Sequence, residues 1–188
     1  MPKRKFDFEP GGYYHIYNRG ANRQSIFREE RNYPYLLRLL KQVLPECHIT
    51  VVAYCLLPNH YHWLLRQNSD IPISKAVGRV WGSYSQAFNK AYEHTGTLFE
   101  GPFKALQVTT EDYLLRLCRY IHRNPVHHGF VAEPEDWPYS NYPEWIEQRP
   151  GTLVDRKLVR EHFSTPQMYV EFAAIFEEAD SFLEDEDA

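Results

Sequence analysis

Two extended apolar runs, held apart by only two residues, restrict what this chain of 188 residues can become. Ile49 to Leu57 is β-branched and apolar, Pro58-Asn59 is a turn signal, and His60 to Arg66 is again strand-like. Runs of this kind joined by so short a loop predict a tight antiparallel hairpin. Side chains alternate across a strand, so His60 and His62 share one face while Tyr61 and Trp63 share the other.

The flanking sequence completes a pattern around that hairpin. Tyr13 to Tyr17 reads as a first strand, and Asn18 to Asn22 as a turn. A helix is expected from about Glu29, with its apolar stripe at Tyr35, Leu36, Leu39, Leu40 and Val43, ended by Pro45. After the hairpin, Ser74 is placed to cap a long helix through Ala76, Val77, Val80, Trp81, Tyr84, Phe88 and Tyr92, ending near Gly96. Phe103 to Thr109 is a fourth strand. Thr110 caps a further helix, with Glu111 and Asp112 in the first turn, where the helix dipole favours acids. That helix is expected to stop close to Asn124, because a proline disfavours helical geometry in the residue before it. The Pro-, Trp- and Tyr-rich stretch to Pro150 reads as irregular packing, and Leu153 to Phe182 as one or two helices.

The order β-α-β-β-α-β predicts an α+β, ferredoxin-like (RRM-like) antiparallel sheet with additional C-terminal helices. One open sheet with helices on one face is the expected architecture. Residues 1–150 would form the main domain, and 151–188 a helical extension with an acidic tail.

A chain that is 43% hydrophobic and 15% aromatic can bury one sizeable core. No run of about 18 apolar residues exists, which excludes a transmembrane helix, and Met1 to Pro10 lacks the apolar segment of a secretory signal. Cys47, Cys55 and Cys118 are far apart and odd in number, fitting neither a disulfide framework nor a zinc motif. A reduced, cytoplasmic setting is the expectation. The net charge of −4 argues against a nucleic-acid partner, but its distribution does not. Eight acids and no Lys or Arg follow from Glu171 onward, leaving 17 acidic against 21 basic residues, or +4, over residues 1–170. Phosphate binding through a local basic face is therefore permitted; a solvated tail on a near-neutral domain is the plainer alternative.

Two imidazoles on one strand face, at His60 and His62, can share a cation. Their apolar neighbours, Leu56, Leu57, Trp63, Leu64 and Leu65, make this a poor setting for polar rings without a task. Zinc would want a third protein ligand. Mg²⁺ or Mn²⁺ would need a carboxylate, amide or phosphate to complete its shell. Without a metal, the pair is simply two solvated histidines.

The helix from Tyr113 to Asn124 divides in two. Leu114, Leu117, Cys118 and Ile121 form an apolar stripe to pack on the sheet. Arg116, Tyr120, Arg123 and Asn124 form a second face, with Tyr120 and Asn124 one turn apart. That face offers a phenol, an amide oxygen and two guanidinium groups. The alternative is an aromatic at the edge of the core, with arginines reaching into water.

Four segments taken together give the sequence a relationship. They are Tyr14-His15-Ile16-Tyr17-Asn18-Arg19-Gly20; Leu56-Leu57-Pro58-Asn59-His60-Tyr61-His62-Trp63-Leu64-Leu65; Gly96-Thr97-Leu98-Phe99-Glu100-Gly101-Pro102-Phe103-Lys104; and Tyr120-Ile121-His122-Arg123-Asn124-Pro125-Val126. In this order they resemble the single-tyrosine HUH transposases, most closely the REP-associated tyrosine transposases. The resemblance covers about Tyr13 to Tyr142. It departs at Pro102 and Glu100, where the family commonly has Arg and Gln, and at Trp137 to Tyr142, a looser form of the family's W-S-S-Y.

The resemblance implies that His60 and His62 are metal ligands, that Asn124 completes their site, and that Tyr120 is the nucleophile. It implies a divalent cofactor, Mg²⁺ or Mn²⁺, and single-stranded or hairpin DNA as partner, with Arg19, Lys104, Arg116 and Arg123 as candidate DNA-holding cations. No membrane is involved, and either monomer or homodimer fits. Three other readings remain open: a non-catalytic single-strand-binding module on the same fold, a metal-dependent hydrolase using the histidine pair, and a replication or relaxase-type HUH nickase.

Overall fold

A computed structural model describes residues 6–175. Four antiparallel strands form one sheet: β1 (Tyr13–Arg19), β2 (Ile49–Leu57), β3 (His60–Gln67) and β4 (Lys104–Val108), in the order β2-β3-β1-β4. The hairpin is as expected, with Leu57 opposite His60 across Pro58-Asn59. Its tip is tied to the loop after β1. The Gly20 amide donates to the Asn59 carbonyl, and the Ile26 and Phe27 amides both donate to the Pro58 carbonyl. Only glycine fits at position 20, where a Cβ would collide with the Gln24 carbonyl oxygen.

Helices α1 (Asn32–Glu46) and α2 (Ile73–Tyr92) lie side by side over one face of the sheet. There Trp63 of β3 stacks on Trp81 of α2, with ring centroids 5.1 Å apart and planes 5° from parallel. Tyr61 packs against the same indole at 4.4 Å. By alternation His15, Tyr17, His60 and His62 project from the opposite face, and α3 (Glu111–His127) packs there, against β2, β3 and β4. Helices thus cover both faces, whereas one face was expected. Strand periodicity reveals that a strand is buried on both sides, as β2 and β3 are, but not which helix covers which side.

The third helix is buried nearly all round. Leu114, Leu117, Cys118 and Ile121 are in the core as expected, and so are Tyr120, Asn124 and Arg119. The segment beyond it closes over α3 with α4 (Tyr142–Trp145), α5 (Lys157–His162) and α6 (Pro166–Ala174). The Arg119 guanidinium carbon lies 4.9 Å from the Phe172 ring centroid of α6. Val154 bridges to Val51, so this segment also returns to the β2 edge. The acidic stretch past residue 175 lies outside the described residues.

Helix ends differ from expectation where proline was taken as a stop. Helix α1 runs one residue past Pro45, and α3 continues through Pro125 to His127. Proline removes one N–H and crowds the preceding turn, and the burial of Asn124 and Pro125 outweighs that local cost. Ser74 lies inside α2, whose N-cap is Pro72 with no side-chain cap bond. Thr110 does cap α3, its hydroxyl accepting from the Tyr113 amide at 3.2 Å. The three cysteines are buried and form no disulfide, and no helix among the described residues is long and apolar enough to cross a membrane.

Candidate active site

The site is built where β1 and β3 face α3. Tyr17 lies opposite His62 in the β1–β3 register, and His15 one side-chain position further along the same face. His15 Nε2 stands 2.9 Å from His62 Nδ1. Tyr17 stacks on both rings, at centroid distances of 4.7 Å to His15 and 5.9 Å to His62. The His62 imidazole is therefore fixed in plane by stacking and in rotation by a hydrogen bond, so Nε2 is the nitrogen a cation would take.

Tyr120 meets these rings from α3. Its ring stands edge-on to His62, with centroids 5.6 Å apart and planes at 88°, and 6.5 Å from His15. One turn later, Asn124 Oδ1 lies 3.0 Å from His60 Nε2. The four residues singled out in the sequence, His60, His62, Tyr120 and Asn124, thus come together within one chain.

His60 carries a test of whether a metal suits the site. Its Nδ1 faces Asn59 Oδ1 at 2.8 Å, and its Nε2 faces Asn124 Oδ1. A neutral imidazole has a single N–H, so it can donate to only one of these oxygens. The buried Nδ2 of Asn124 has no hydrogen-bond partner. Turning that amide over satisfies both groups without a metal. A cation offers the other solution, because Nε2 and Oδ1 then both direct lone pairs at it. Adjacent ligands of an octahedral ion with bonds of about 2.1 Å lie roughly 3.0 Å apart, which is the spacing found. Two imidazoles and an amide oxygen form a mixed nitrogen and oxygen donor set of the kind that divalent transition ions accept more readily than Mg²⁺, which prefers oxygen. Among the described residues no group of three or more His, Cys, Asp or Glu is placed to hold a metal.

The cations predicted from sequence are distributed around this centre. Arg19 ends β1 and pairs with Glu100 at 3.0 Å, and it lines a cavity together with His60. Lys104 begins β4 opposite Tyr17, its ammonium 5.5 Å from that ring's centroid. Arg116 pairs with Asp112 one turn back along α3, at 2.8 Å. Arg123 points elsewhere: its Nη1 donates to the Ala173 carbonyl of α6 at 3.2 Å. Helical spacing put Arg123 beside Tyr120, and the partner helix that draws it away carries no signal in the local pattern.

Sequence reasoning missed His15 as a member of the site. Strand alternation would have put it on the Tyr17 face, but only the β1–β3 register brings it to His62. It also missed His122, two residues before Asn124 in the chain but with its ring directed away from the site. His122 Nδ1 lies 2.5 Å from the Tyr169 hydroxyl and Nε2 lies 3.0 Å from Asn141 Oδ1. Burial lowers its pKa to about 4, so it is neutral and ties α3 to the C-terminal segments.

A sheet face lined with imidazoles is thus covered by a helix bearing a buried phenol. Residues 10–124 match the family of IS200-like transposases, and the chain belongs to that family. A REP-associated tyrosine transposase of Haemophilus influenzae is 27% identical over 160 residues, covering 76% of this chain and 86% of that protein. The solved structure of a REP-associated tyrosine transposase bound to a REP hairpin has the same fold. It superposes with a TM-score of 0.69 at 19% identity, over 84% of this chain and 96% of the other.

Proposed function

We propose that the protein cuts and rejoins single-stranded or hairpin DNA, with Tyr120 as nucleophile and His60, His62 and Asn124 as ligands of a divalent ion, Mg²⁺ or Mn²⁺. The observation that carries this reading is the edge-on approach of the Tyr120 ring to His62 within one chain. The family's transposase identity supports it. The sheet face that a non-catalytic RNA-recognition-like module would offer to bases is covered by α3.

In the proposed reaction, Arg19, Lys104 and Arg116 hold phosphates of the incoming strand by charge-assisted hydrogen bonds. Tyr120 Oη attacks phosphorus in line, releasing its proton to solvent, and the bond from phosphorus to the 3′ oxygen breaks. The products are a 5′-phosphotyrosine and a 3′-OH, which has taken a proton from water. A phenol titrates near 10, so the nearby guanidinium and ammonium groups matter for its ionisation as well as for grip. A divalent ion held by His60, His62 and Asn124 would supply charge neutralisation at the phosphate and ease departure of the 3′ oxygen. His62, clamped by Tyr17 and His15, orients its own lone pair; His60 and Asn124 do so from the hairpin tip and from α3. Transfer of the phosphotyrosine to another 3′-OH reverses the chemistry and completes joining.

The test is a pool of single-stranded oligonucleotides incubated with the protein and Mn²⁺, resolved on a denaturing gel. A covalent protein–DNA band is expected, lost in Tyr120→Phe while DNA binding stays within a few-fold. The His60→Ala, His62→Ala double variant should lose metal-dependent cleavage. Cleavage without an adduct, or an adduct that survives Tyr120→Phe, would instead mean attack by water or by another side chain.

A further inference from the structure

Beside the histidine pair lies a cavity of about 200 Å³, lined by Arg19, Arg23, Asn59, His60, His128 and Phe130. Its walls come from the turn after β1, the hairpin tip and the C-terminal end of α3. The cavity is smaller than the roughly 300–1,000 Å³ of a pocket for a drug-sized ligand. It combines two guanidinium side chains with an amide, two imidazoles and one apolar ring.

Phe130 is 43% exposed, one of three large hydrophobic side chains among the described residues left so open. A single exposed apolar side chain needs no explanation by itself. This one is held firmly. The α3 helix ends in a Schellman motif: Gly129 adopts φ +69°, its amide donates to the Val126 carbonyl, and the Phe130 amide donates to the Pro125 carbonyl. The ring is thereby placed in fixed relation to Asn124, and it leans on Trp137 at 5.4 Å. His128 bridges the gap, its ring 4.8 Å from His60 and 6.5 Å from Phe130. The opposite wall is equally deliberate. Asn22 and Arg23 both take positive φ, 53° and 58°, an unusual pair for residues other than glycine. The turn is locked by the Arg23 amide donating to Gly20 and the Gly20 amide donating to Asn59.

We propose that this cavity receives one unpaired nucleotide next to the phosphate being cut, its base stacked on Phe130 and its phosphate held by Arg19 and Arg23. The proposal rests on the reading of the site as a single-strand nuclease and adds a base subsite to it. Guanidinium forks match phosphate geometry, and an aromatic face accepts any base. Asn59 and His128 offer donors and acceptors to the base edge.

The experiment compares binding of the full chain, with Mn²⁺, to a short thymidine oligonucleotide and to an abasic strand of equal length. The unmodified protein should bind the thymidine strand about tenfold more tightly, in line with the cost of losing one base–aromatic stack. Phe130→Ala should abolish that preference, and Phe130→Trp should keep it. Arg23→Gln should flatten the salt dependence of binding by roughly 0.7 in the log–log slope, one phosphate contact on a single strand. A preference unchanged in Phe130→Ala overturns the subsite. If Tyr120 still forms its adduct in that case, the nuclease reading stands alone. A Phe130-dependent preference without any adduct leaves the subsite and removes the nuclease. Failure of the unmodified chain to bind either strand overturns both.

Discussion

His15 and His62 stand on neighbouring strands, and their contact makes one imidazole the holder of another. For His62 to offer Nε2 to a cation, its Nδ1 must carry the proton, and His15 Nε2, at 2.9 Å, is the acceptor. Partners of this kind fix both the tautomer and the ring angle of a ligand histidine. His15→Ala is expected to weaken Mn²⁺ binding by about ten- to a hundredfold, read by calorimetry on the DNA-free protein, with His15→Gln recovering part of the loss because its amide oxygen can accept the same proton. Unaltered Mn²⁺ affinity in His15→Ala would show that His62 needs no such support. At this scale the proximity of the candidate residues was largely legible in the sequence. His60 and His62 share a face because strands alternate, and Tyr120 and Asn124 share a face because helices turn. What stayed hidden were contacts set by register or by a distant helix, as with His15 and with Arg123, which turns to Ala173.

Helix α3 carries both the phenol and the amide, so its seating governs the site. His122 fastens it from the far side, between Tyr169 and Asn141. Burial lowers the His122 pKa to about 4, against an ordinary value near 6.5. The unfolded chain therefore takes up a proton at higher pH than the folded one. The stability this neutral ring contributes is fully present above about pH 6.5 and is lost as pH falls toward 4, with a slope of at most about 1.4 kcal/mol per pH unit. Urea denaturation in EDTA, at pH 7.5 and at pH 5, should show this loss, and His122→Gln should reduce the difference between the two pH values. An identical difference in the variant would assign the acid sensitivity to other groups. The helix itself was legible in its Thr110 cap and apolar stripe. Its continuation through Pro125 was not, because the cost of a proline is local while the compensation comes from packing that only the folded chain supplies.

The sheet is covered on both faces, and the chain brings its own phenol to its own histidines. Mixing Tyr120→Phe with His62→Ala protein should therefore not restore adduct formation. Recovery of activity in the mixture would mean that subunits exchange α3 and complete each other's sites. The hairpin-centred sheet followed directly from residues 49–66, whereas the side on which α3 lies depends on a connection whose path no periodicity encodes. Tyr120 is only 7% exposed and His62 1%, and the same crowding that narrows the way in for DNA also narrows it for bulk water. A phosphotyrosine formed there would be slow to hydrolyse, so its lifetime would be set by the arrival of a new strand end. In the proposed reaction, the tight seat of one helix would thus tip the kinetic partition from destruction of DNA toward its rearrangement.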